Sequence, residues 1–315
     1  VDAGVFSVEF IRVNHSIADA CALAIKTPLG TIVHSGDFKL DVTPIESKMM
    51  DITRFGELGN EGVLLLMCES TNAERPGFAP SERKVGATLD DIFMKNKDYR
   101  IVIATFSSNV HRVQQIISKS AEYGRKVAIT GRSMLNIVGV ATELEYMTVP
   151  DGVLVDINDI KKYPPEQMTI ITTGSQGEPM SALTRMASDE LSKVRLGYND
   201  TVILSASPIP GNERMVYNVI NNLYRHGCRV IYESLAEVHV SGHAYQEELK
   251  LMHSLLKPKF FMPVHGEHRH QKKHAELAMK MGEASSNIIV PDIGNQVLVL
   301  SLIHISEPTR LALIS

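Results

Sequence analysis

A chain of 315 residues with 44% hydrophobic residues and a net charge of −4 has the composition of a globular protein with one or two domains. No apolar run approaches the roughly eighteen residues that a membrane-spanning helix needs, so no membrane segment is expected. The acidic balance excludes a surface that is basic throughout, but not a local groove for nucleic acid. The three cysteines, Cys21, Cys68 and Cys228, lack C-x-x-C spacing. This disfavours a disulfide framework or a thiolate zinc site and predicts a cytoplasmic location.

Short strands dominate the first 80 residues. Residues 5–13 have a strand pattern that ends at Asn14 and His15. Two further strands, "ACALAIK" and "TIVHSGDF", are joined by turn residues at 27–30. The nearly continuous apolar run "GVLLLMCEST" is typical of a strand that is buried on both faces.

Strands and helices alternate from about residue 81 to residue 235. "RIVIATF", "KVAIT", "MTIITTG" and "TVILSAS" each precede a segment with helical spacing of apolar residues, and "RVIYES" follows the last of these segments. Repeated strand–helix units of this length predict a parallel sheet covered by helices.

After Leu235 the earlier pattern returns, with the helix "AYQEELKLMHSLLK" and the strand "FFMPV". We therefore expect one domain formed by residues 1–80 and 236–300, interrupted by an inserted α/β domain at 81–235. Residues 301–315, including His304, do not continue the preceding pattern and resemble translated cloning sequence. They are expected to be a non-native tail.

Three polar residues each follow a predicted strand directly. They are His15 after "VEFIRV", Asp37 in "TIVHSGD" and His265 after "FFMPV". Ligands at strand ends are held by a rigid sheet, and zinc and manganese accept imidazole and carboxylate ligands. A carboxylate can bridge two ions, which makes Asp37 the natural shared ligand. Each residue taken alone is more often structural than metal-binding.

Seven sequence motifs resemble those of the ribonuclease J family. They are "NHSIADA", "HSGDFKLD", "ESTNAERPG", "GSQGEPMSAL", "SPIPGNE", "HVSGHAYQEELKLM" and "KPKFFMPVHGEHRH". The likeness extends over about residues 1–300, with the motifs in the family's order. It implies a partial metallo-β-lactamase αββα sandwich interrupted by a β-CASP domain, which is an α/β fold with a mainly parallel sheet.

The resemblance also implies an activity and a set of roles. Members of the family are metal-dependent nucleases, both endonucleases and 5′-to-3′ exonucleases. They act on single-stranded RNA, preferably 5′-monophosphorylated, in RNA maturation and decay. His15 matches a ligand of the first of two divalent ions, Asp37 the bridging carboxylate and His265 a ligand of the second ion. Zinc is the expected metal, with manganese or magnesium as alternatives. His243 matches a histidine near the scissile phosphate, and Glu69 matches an acidic residue that could orient it. The intact protein is expected to form homo-oligomers.

RNA contacts are expected from loops rich in small residues. "TTGSQGEP" places Gly174, Ser175, Gln176 and Gly177 directly after a strand, where backbone amides can approach phosphates closely. "VSGH" places Ser241 and Gly242 beside His243, and "ITGRSM" places Arg132 and Ser133 at another strand end. An ordinary strand–helix turn is an equally good interpretation of Arg132 and Ser133.

The sequence departs from the family at its most distinctive motif. None of the 315 residues forms H-x-H-x-D-H, which supplies most of the remaining metal ligands in this family. We expect that motif upstream of Val1 and the family's C-terminal domain beyond residue 300. The polypeptide as given would then bind metal weakly and have little nuclease activity.

The remaining histidines have simpler interpretations. His268, His270 and His274 are expected on a solvated helix face, with weak RNA contact as the alternative, and His253 as a packed core residue. Two other functions stay open: a noncatalytic RNA-binding or scaffolding paralogue with the same fold, and a hydrolase of small esters or lactams.

Overall fold

The computed structural model describes residues 1–45 and 48–299, together with the backbone of a strand at Leu311–Ile314. Residues 301–310 and 315 of the expected non-native tail, with His304, lie outside the described residues. The chain divides into two compact units. The first comprises residues 1–15, 19–80 and 241 onward, and the second comprises residues 16–18 and 81–240.

The first unit is built on a six-stranded sheet of order β1-β2-β3-β4-β5-β12. Its strands are β1 (Asp2–Ala3), β2 (Phe6–Arg12), β3 (Cys21–Thr27), β4 (Gly30–His34), β5 (Val63–Glu69) and β12 (Phe260–Val264). Pairing is antiparallel from β1 to β4, whereas β4–β5 and β5–β12 are parallel.

Strand alternation gives this sheet two different faces. One face packs against three helices, α1 (Ile52–Glu61), α7 (Gln246–Leu256) and α8 (His268–Lys280). The core between them contains the following side chains from sheet and helices: Ile11, Ala22, Ala24, Val33, Leu66, Phe261, Phe55, Leu58, Leu249, Met252, Leu277 and Ala278. On the opposite face Phe6 and Phe10 are 46% and 61% exposed.

The second unit contains a parallel sheet of order β11-β10-β6-β9-β7-β8. Its strands are β6 (Arg100–Ala104), β7 (Lys126–Thr130), β8 (Leu154–Val155), β9 (Met168–Thr172), β10 (Asp200–Leu204) and β11 (Arg229–Ile231). The central strands are apolar along their whole length because helices cover both faces. The predicted mixed α/β class and the predicted parallel sheet are confirmed.

Five helices cover this parallel sheet. One face packs against α2 (Arg83–Lys95), α3 (Val110–Glu122) and α4 (Arg132–Glu143). The other face packs against α5 (Ala182–Ala187) and α6 (Glu213–Arg225). A short strand β13 (Gln296–Val299) pairs with β14 (Leu311–Ile314). Among the described residues, no helix has the length and apolar character needed to cross a bilayer.

Candidate metal centre

Strands β2, β4, β5 and β12 of the first unit run in the same direction. Both β2 and β4 are antiparallel to β3, while β5 is parallel to β4 and β12 is parallel to β5. Their carboxyl ends therefore meet at one edge of the sheet. His15 and Asp37 follow β2 and β4, Glu69 ends β5, and His265 follows β12. His243 comes to the same edge from the segment before α7, since its ring centroid lies 4.9 Å from that of His15.

Asp37 faces an imidazole on each of its two oxygens. Oδ2 lies 4.0 Å from Nε2 of His15, and Oδ1 lies 3.7 Å from Nε2 of His265. One ligand atom each from His15, Asp37 and His243 also lie within 4.8 Å of one another. These separations are longer than a hydrogen bond. They approach the distance between two ligand atoms that bind the same ion, each at about 2.0–2.2 Å from it.

The tautomer of His15 follows from its partner. Nδ1 lies 2.8 Å from the carbonyl oxygen of Gly242, and a carbonyl oxygen can only accept, so Nδ1 donates. In the neutral ring, Nε2 then carries the lone pair and is directed towards Asp37. The backbone adds to this arrangement, since the Lys39 N–H donates to the Asn14 carbonyl at 2.8 Å and so fixes the chain next to His15 beside the chain next to Asp37.

Glu69 accepts hydrogen bonds from three backbone segments and from His243. Its carboxylate is 1% exposed and accepts hydrogen bonds from the backbone N–H groups of Phe38, Thr71 and Ala244 at 3.2, 3.2 and 3.4 Å. It also accepts from Nδ1 of His243 at 3.1 Å. Nε2 of His243 is therefore the ring nitrogen that is not used by Glu69.

Opposite pKa shifts separate the two histidines. Burial lowers the pKa of His15, against a smaller opposing effect of its hydrogen bond to Gly242. Burial also disfavours the charged form of His243, but the hydrogen bond and charge of Glu69, together with the charge of Asp37, outweigh it and raise the pKa of His243. A neutral imidazole suits a metal ligand, whereas a charged imidazole can donate a proton.

Unusual backbone conformations occur at or directly before the candidate ligands that follow β4 and β12, Asp37 and His265. Gly36 has φ +59°, and a Cβ at this position would lie 2.5 Å from the carbonyl oxygen of Cys21, so only glycine allows the turn before Asp37. His265 has φ +60°, which is uncommon for a residue with a side chain. For a residue other than glycine, such a conformation persists only where the surrounding structure enforces it, and such residues concentrate at functional sites.

Comparison with known proteins identifies the family. Residues 98–223 match the model of the ribonuclease J beta-CASP domain, and residues 229–291 match the Zn-dependent metallo-hydrolase RNA specificity domain. The chain is 48% identical over 290 residues to ribonuclease J of Synechocystis sp. and 46% identical over 299 residues to that of Helicobacter pylori strain 26695. The chain belongs to the ribonuclease J family. It is also 43% identical over 290 residues to ribonuclease J2 of Bacillus subtilis.

The chain spans about half the length of these ribonuclease J relatives. The alignments cover 92%, 95% and 92% of the chain but 45%, 43% and 52% of the respective relatives. A crystallised Enterococcus faecalis V583 protein of unknown function superposes with a TM-score of 0.64 at 17% identity, covering 94% of this chain and 64% of the other. That likeness shows the fold alone. The family is one of hydrolytic enzymes with a divalent metal cofactor, as the matched Zn-dependent metallo-hydrolase domain indicates.

The segment "VSGH" supports the candidate centre by hydrogen bonds to both His15 and His243. Ser241 Oγ accepts from the His243 backbone N–H at 3.1 Å and from Nδ2 of Asn72 at 2.8 Å. The Gly242 carbonyl accepts from His15 at 2.8 Å. Both residues that were predicted to contact RNA thus also hold the two histidines in place.

The predicted RNA-contact loops of the second unit differ from each other. Ser175 and Gln176 are buried, as are Gly174 and Gly177. The Gln176 amide donates to the Ser207 carbonyl at 2.9 Å and accepts from the Ile209 N–H at 2.7 Å, so its side chain is committed to the fold. Arg132 and Ser133, in contrast, are exposed in the first turn of α4.

The expectation of a solvated face for His270 and His274 is wrong. His274 is fully buried, with Nδ1 3.1 Å from Ser70 Oγ. His270 is 8% exposed, and its Nδ1 accepts from the Glu267 N–H at 3.0 Å. That bond caps α8 and secures the turn that follows His265. His268 is exposed as expected.

Two supporting residues were not singled out from the sequence. Asn72 donates to Ser241 and, at 3.2 Å, to the His243 carbonyl. Glu248 lies at the third position of α7 and accepts from the Tyr245 N–H at 2.7 Å. The spacing of Tyr245 and Glu248 is that of a capping box, which was a usable signal for Glu248. Asn72 gave no comparable signal, because its partners lie about 170 residues further along the chain.

Proposed function

We propose that this chain supplies metal-ligating and proton-donating side chains to a ribonuclease J active site, which hydrolyses phosphodiester bonds of single-stranded RNA and leaves 5′-phosphate products. The observation that carries the proposal is Asp37 with an imidazole facing each oxygen, beside a histidine held by a buried carboxylate. Endonuclease and 5′-to-3′ exonuclease activity, a preference for 5′-monophosphorylated RNA, homo-oligomers and a cytoplasmic location are part of this proposal.

His15, Asp37 and His265 would hold two divalent ions, with Asp37 as the shared ligand. Zinc is the first choice, with manganese or magnesium as alternatives, because neutral imidazole and carboxylate donors suit zinc and manganese best. Bound ions of this kind lower the pKa of water and neutralise charge on the phosphoryl oxygens. Three ligand side chains are fewer than two ions need, so we propose weak metal binding and low turnover for the 315 residues by themselves.

His243 would act as the general acid. Glu69 fixes its Nδ1–H at 3.1 Å and raises its pKa, so a proton on Nε2 is retained closer to neutral pH. That proton can be donated to the leaving 3′-oxygen of the RNA, or can hydrogen-bond to the scissile phosphate. By distance alone His243 is also a candidate third ligand. Its match to the family's histidine near the scissile phosphate favours the role of acid.

The metal part of this proposal is tested by titrating Mn²⁺ into the chain while the histidine ring resonances are followed by NMR. We expect paramagnetic broadening of the rings of His15, His243 and His265. The rings of His226, in the other unit, and His111 serve as internal controls and should stay sharp at the same Mn²⁺ concentration. Asp37→Asn should abolish the selective broadening. Equal broadening of all exposed histidines in the native chain would contradict the proposed centre, and two tightly held ions per chain would contradict weak binding.

The catalytic part is tested with a 5′-monophosphorylated single-stranded RNA in the presence of Mn²⁺. The native chain should cleave slowly, and both Asp37→Asn and His243→Ala should remove that cleavage. If all three proteins bind RNA and show the same background rate of RNA cleavage, the result would indicate the noncatalytic paralogue. Hydrolysis of a small ester or lactam, without hydrolysis of RNA, would indicate the other alternative.

A further inference from the structure

Glu248 accepts more hydrogen bonds than helix capping requires. Its side chain is 1% exposed, and Oε2 accepts from the Tyr245 N–H at 2.7 Å, which completes the capping box of α7. Oε2 also accepts from the Ala79 N–H at 2.7 Å, and Oε1 accepts from the Leu40 N–H at 2.7 Å. The last two donors lie 169 and 208 residues away in the sequence and have no part in capping.

The three donors belong to the segments that carry the candidate centre. Leu40 lies three residues after Asp37, Tyr245 lies two residues after His243, and Ala79 lies in the segment that follows Glu69. Glu69 accepts from backbone N–H groups of the same three segments, namely those of Phe38, Thr71 and Ala244. Two buried carboxylates thus join the same three segments at two separate points.

Two points of attachment fix an orientation that one point leaves open. Glu69, with Asn72 donating to Ser241 Oγ and the His243 carbonyl, forms the first point, and Glu248 adds the second. The backbone around Leu40 is also joined to the chain beside His15, since the Lys39 N–H donates to the Asn14 carbonyl at 2.8 Å. The position of Leu40 relative to Tyr245 therefore acts, together with the hydrogen bond from His15 to the Gly242 carbonyl, on the position of His15 and Asp37 relative to His243.

We propose that Glu248 is a positioning residue of the candidate metal centre, whose carboxylate sets the spacing between the Asp37 segment and the His243 segment. The proposal rests on the proposed function, because that spacing matters for chemistry only if these side chains act together. Groups that orient ligands from behind commonly change metal affinity about 10- to 100-fold when they are replaced.

Glu248→Gln tests this with little change in side-chain volume. A carboxamide has one accepting oxygen, so its NH₂ group must face at least one of the three backbone N–H donors. At least one segment then loses its hydrogen bond to the side chain at position 248, while the core around α7 is preserved. The matched control is Glu247→Gln in the neighbouring position of α7, where the carboxylate is 41% exposed and pairs with Lys250 at 2.7 Å.

The experiment uses NMR on the complete 315-residue chain, first without metal. We measure amide hydrogen exchange at Leu40, Ala79 and Tyr245, and the nuclear Overhauser effect between the rings of His15 and His243, whose centroids lie 4.9 Å apart. Glu248→Gln should accelerate exchange at one or more of these amides by at least about tenfold and weaken the ring–ring effect. It should also lower the apparent Mn²⁺ affinity by about tenfold. Glu247→Gln should match the native chain in all three measurements.

A purely structural role predicts a different pattern. If Glu248→Gln lowers the unfolding midpoint but keeps the ring–ring effect and the Mn²⁺ affinity, the positioning role is overturned. If the native chain shows no selective Mn²⁺ broadening, the proposed metal centre fails, and the ring–ring effect alone decides the role of Glu248. Should Glu248→Gln not fold, Glu248→Asp keeps the charge with a shorter reach. An unchanged ring–ring effect in that variant would also overturn the proposal.

Discussion

Each unit of the chain buries charged side chains, but these side chains bind different kinds of partner in the two units. In the second unit, Arg112 is fully buried, donates to Glu82 and Ser205 Oγ and to the Val238 carbonyl, and so joins elements of the fold. In the first unit, the buried carboxylate of Glu69 joins segments that carry partly exposed imidazoles. The first arrangement ends in the core, whereas the second ends at imidazoles that solvent can reach.

The difference shows how a candidate site can be recognised among many buried polar groups. Burial alone does not distinguish the two units, because Glu69, Arg112 and Gln176 are all less than 3% exposed. What distinguishes the first unit is that Glu69 holds a titratable side chain, His243, whose pKa is raised by the hydrogen bond and charge of Glu69 and whose ring lies 4.9 Å from that of His15.

The largest expected effect is the loss of a buried charge in the second unit. Arg112→Ala leaves Glu82 without the guanidinium and should lower the free energy of unfolding by about 3–5 kcal/mol. Chemical denaturation measures this change. Lys84→Ala is the control, because Lys84 and Glu237 form a surface pair with side chains 52% and 60% exposed, for which about 0–1 kcal/mol is expected. Equal losses in the two variants would contradict a structural role for Arg112.

Acid should destabilise the first unit through its buried histidines. Burial lowers the pKa of His253 to about 4, and its two ring nitrogens have no hydrogen-bond partner among the described residues. The unfolded chain binds this proton near pH 6.5, so the stability is complete above that pH and is lost as the pH falls towards 4. The loss is about 1.4 kcal/mol per pH unit, or about 2 kcal/mol at pH 5.

Denaturation at pH 7.5 and at pH 5 measures the effect of His253. His253→Leu keeps an apolar group against Phe261, which lies 4.3 Å away between ring centroids, and should lose less stability on acidification than the native chain. His226→Gln, at a position in the other unit where the side chain is 23% exposed, serves as the control and should keep the native pH dependence. Identical acid sensitivity in native protein and His253→Leu would assign the effect to other groups, with His274 as the next candidate, because burial holds its pKa well below the ordinary value.

Replacing Glu69 should have an intermediate effect on stability and a specific effect on His243. Glu69→Gln places an NH₂ group among four donors and should cost about 1–3 kcal/mol. It also removes the charge that raises the pKa of His243, so that pKa should fall. NMR titration of the His243 ring measures the shift. A pKa that stays in place would mean that Glu69 does not set the protonation of His243.

The smallest effect on stability is expected at the exposed start of α4. Arg132→Ala should change the free energy of unfolding by no more than about 0.5 kcal/mol. If Arg132 contacts an RNA phosphate, the variant should bind RNA more weakly and reduce the slope of log affinity against log salt by about 1. Gln176→Ala is the contrasting variant, since its loss should lower stability and not the salt slope. If Arg132→Ala leaves the slope of log RNA affinity against log salt unchanged, residues 132 and 133 are an ordinary strand–helix turn without an RNA contact.

Much of the fold was predictable because it rests on local patterns. The alternation of apolar strands and helical segments predicted the parallel sheet, and the ends of β2, β4 and β12 indicated His15, Asp37 and His265. The polar run of α8 misled the prediction for His270 and His274. A run of charged and polar residues normally marks a solvated face, but here one histidine caps the helix and the other is enclosed by Phe261, His253 and Ser70.

The sequence by itself determined which residue types stand at the carboxyl ends of the strands, because strand periodicity and strand ends are properties of neighbouring residues. The tertiary structure alone decided which ring nitrogen of His15 and His243 is directed outward, and that Glu69 and Glu248 join the same three segments. Apart from the local bonds of Thr71 to Glu69 and of Tyr245 to Glu248, those contacts link residues 31 to 227 positions apart. A hydrogen bond between such distant residues depends on how the strands pair and the helices pack, which no local pattern records.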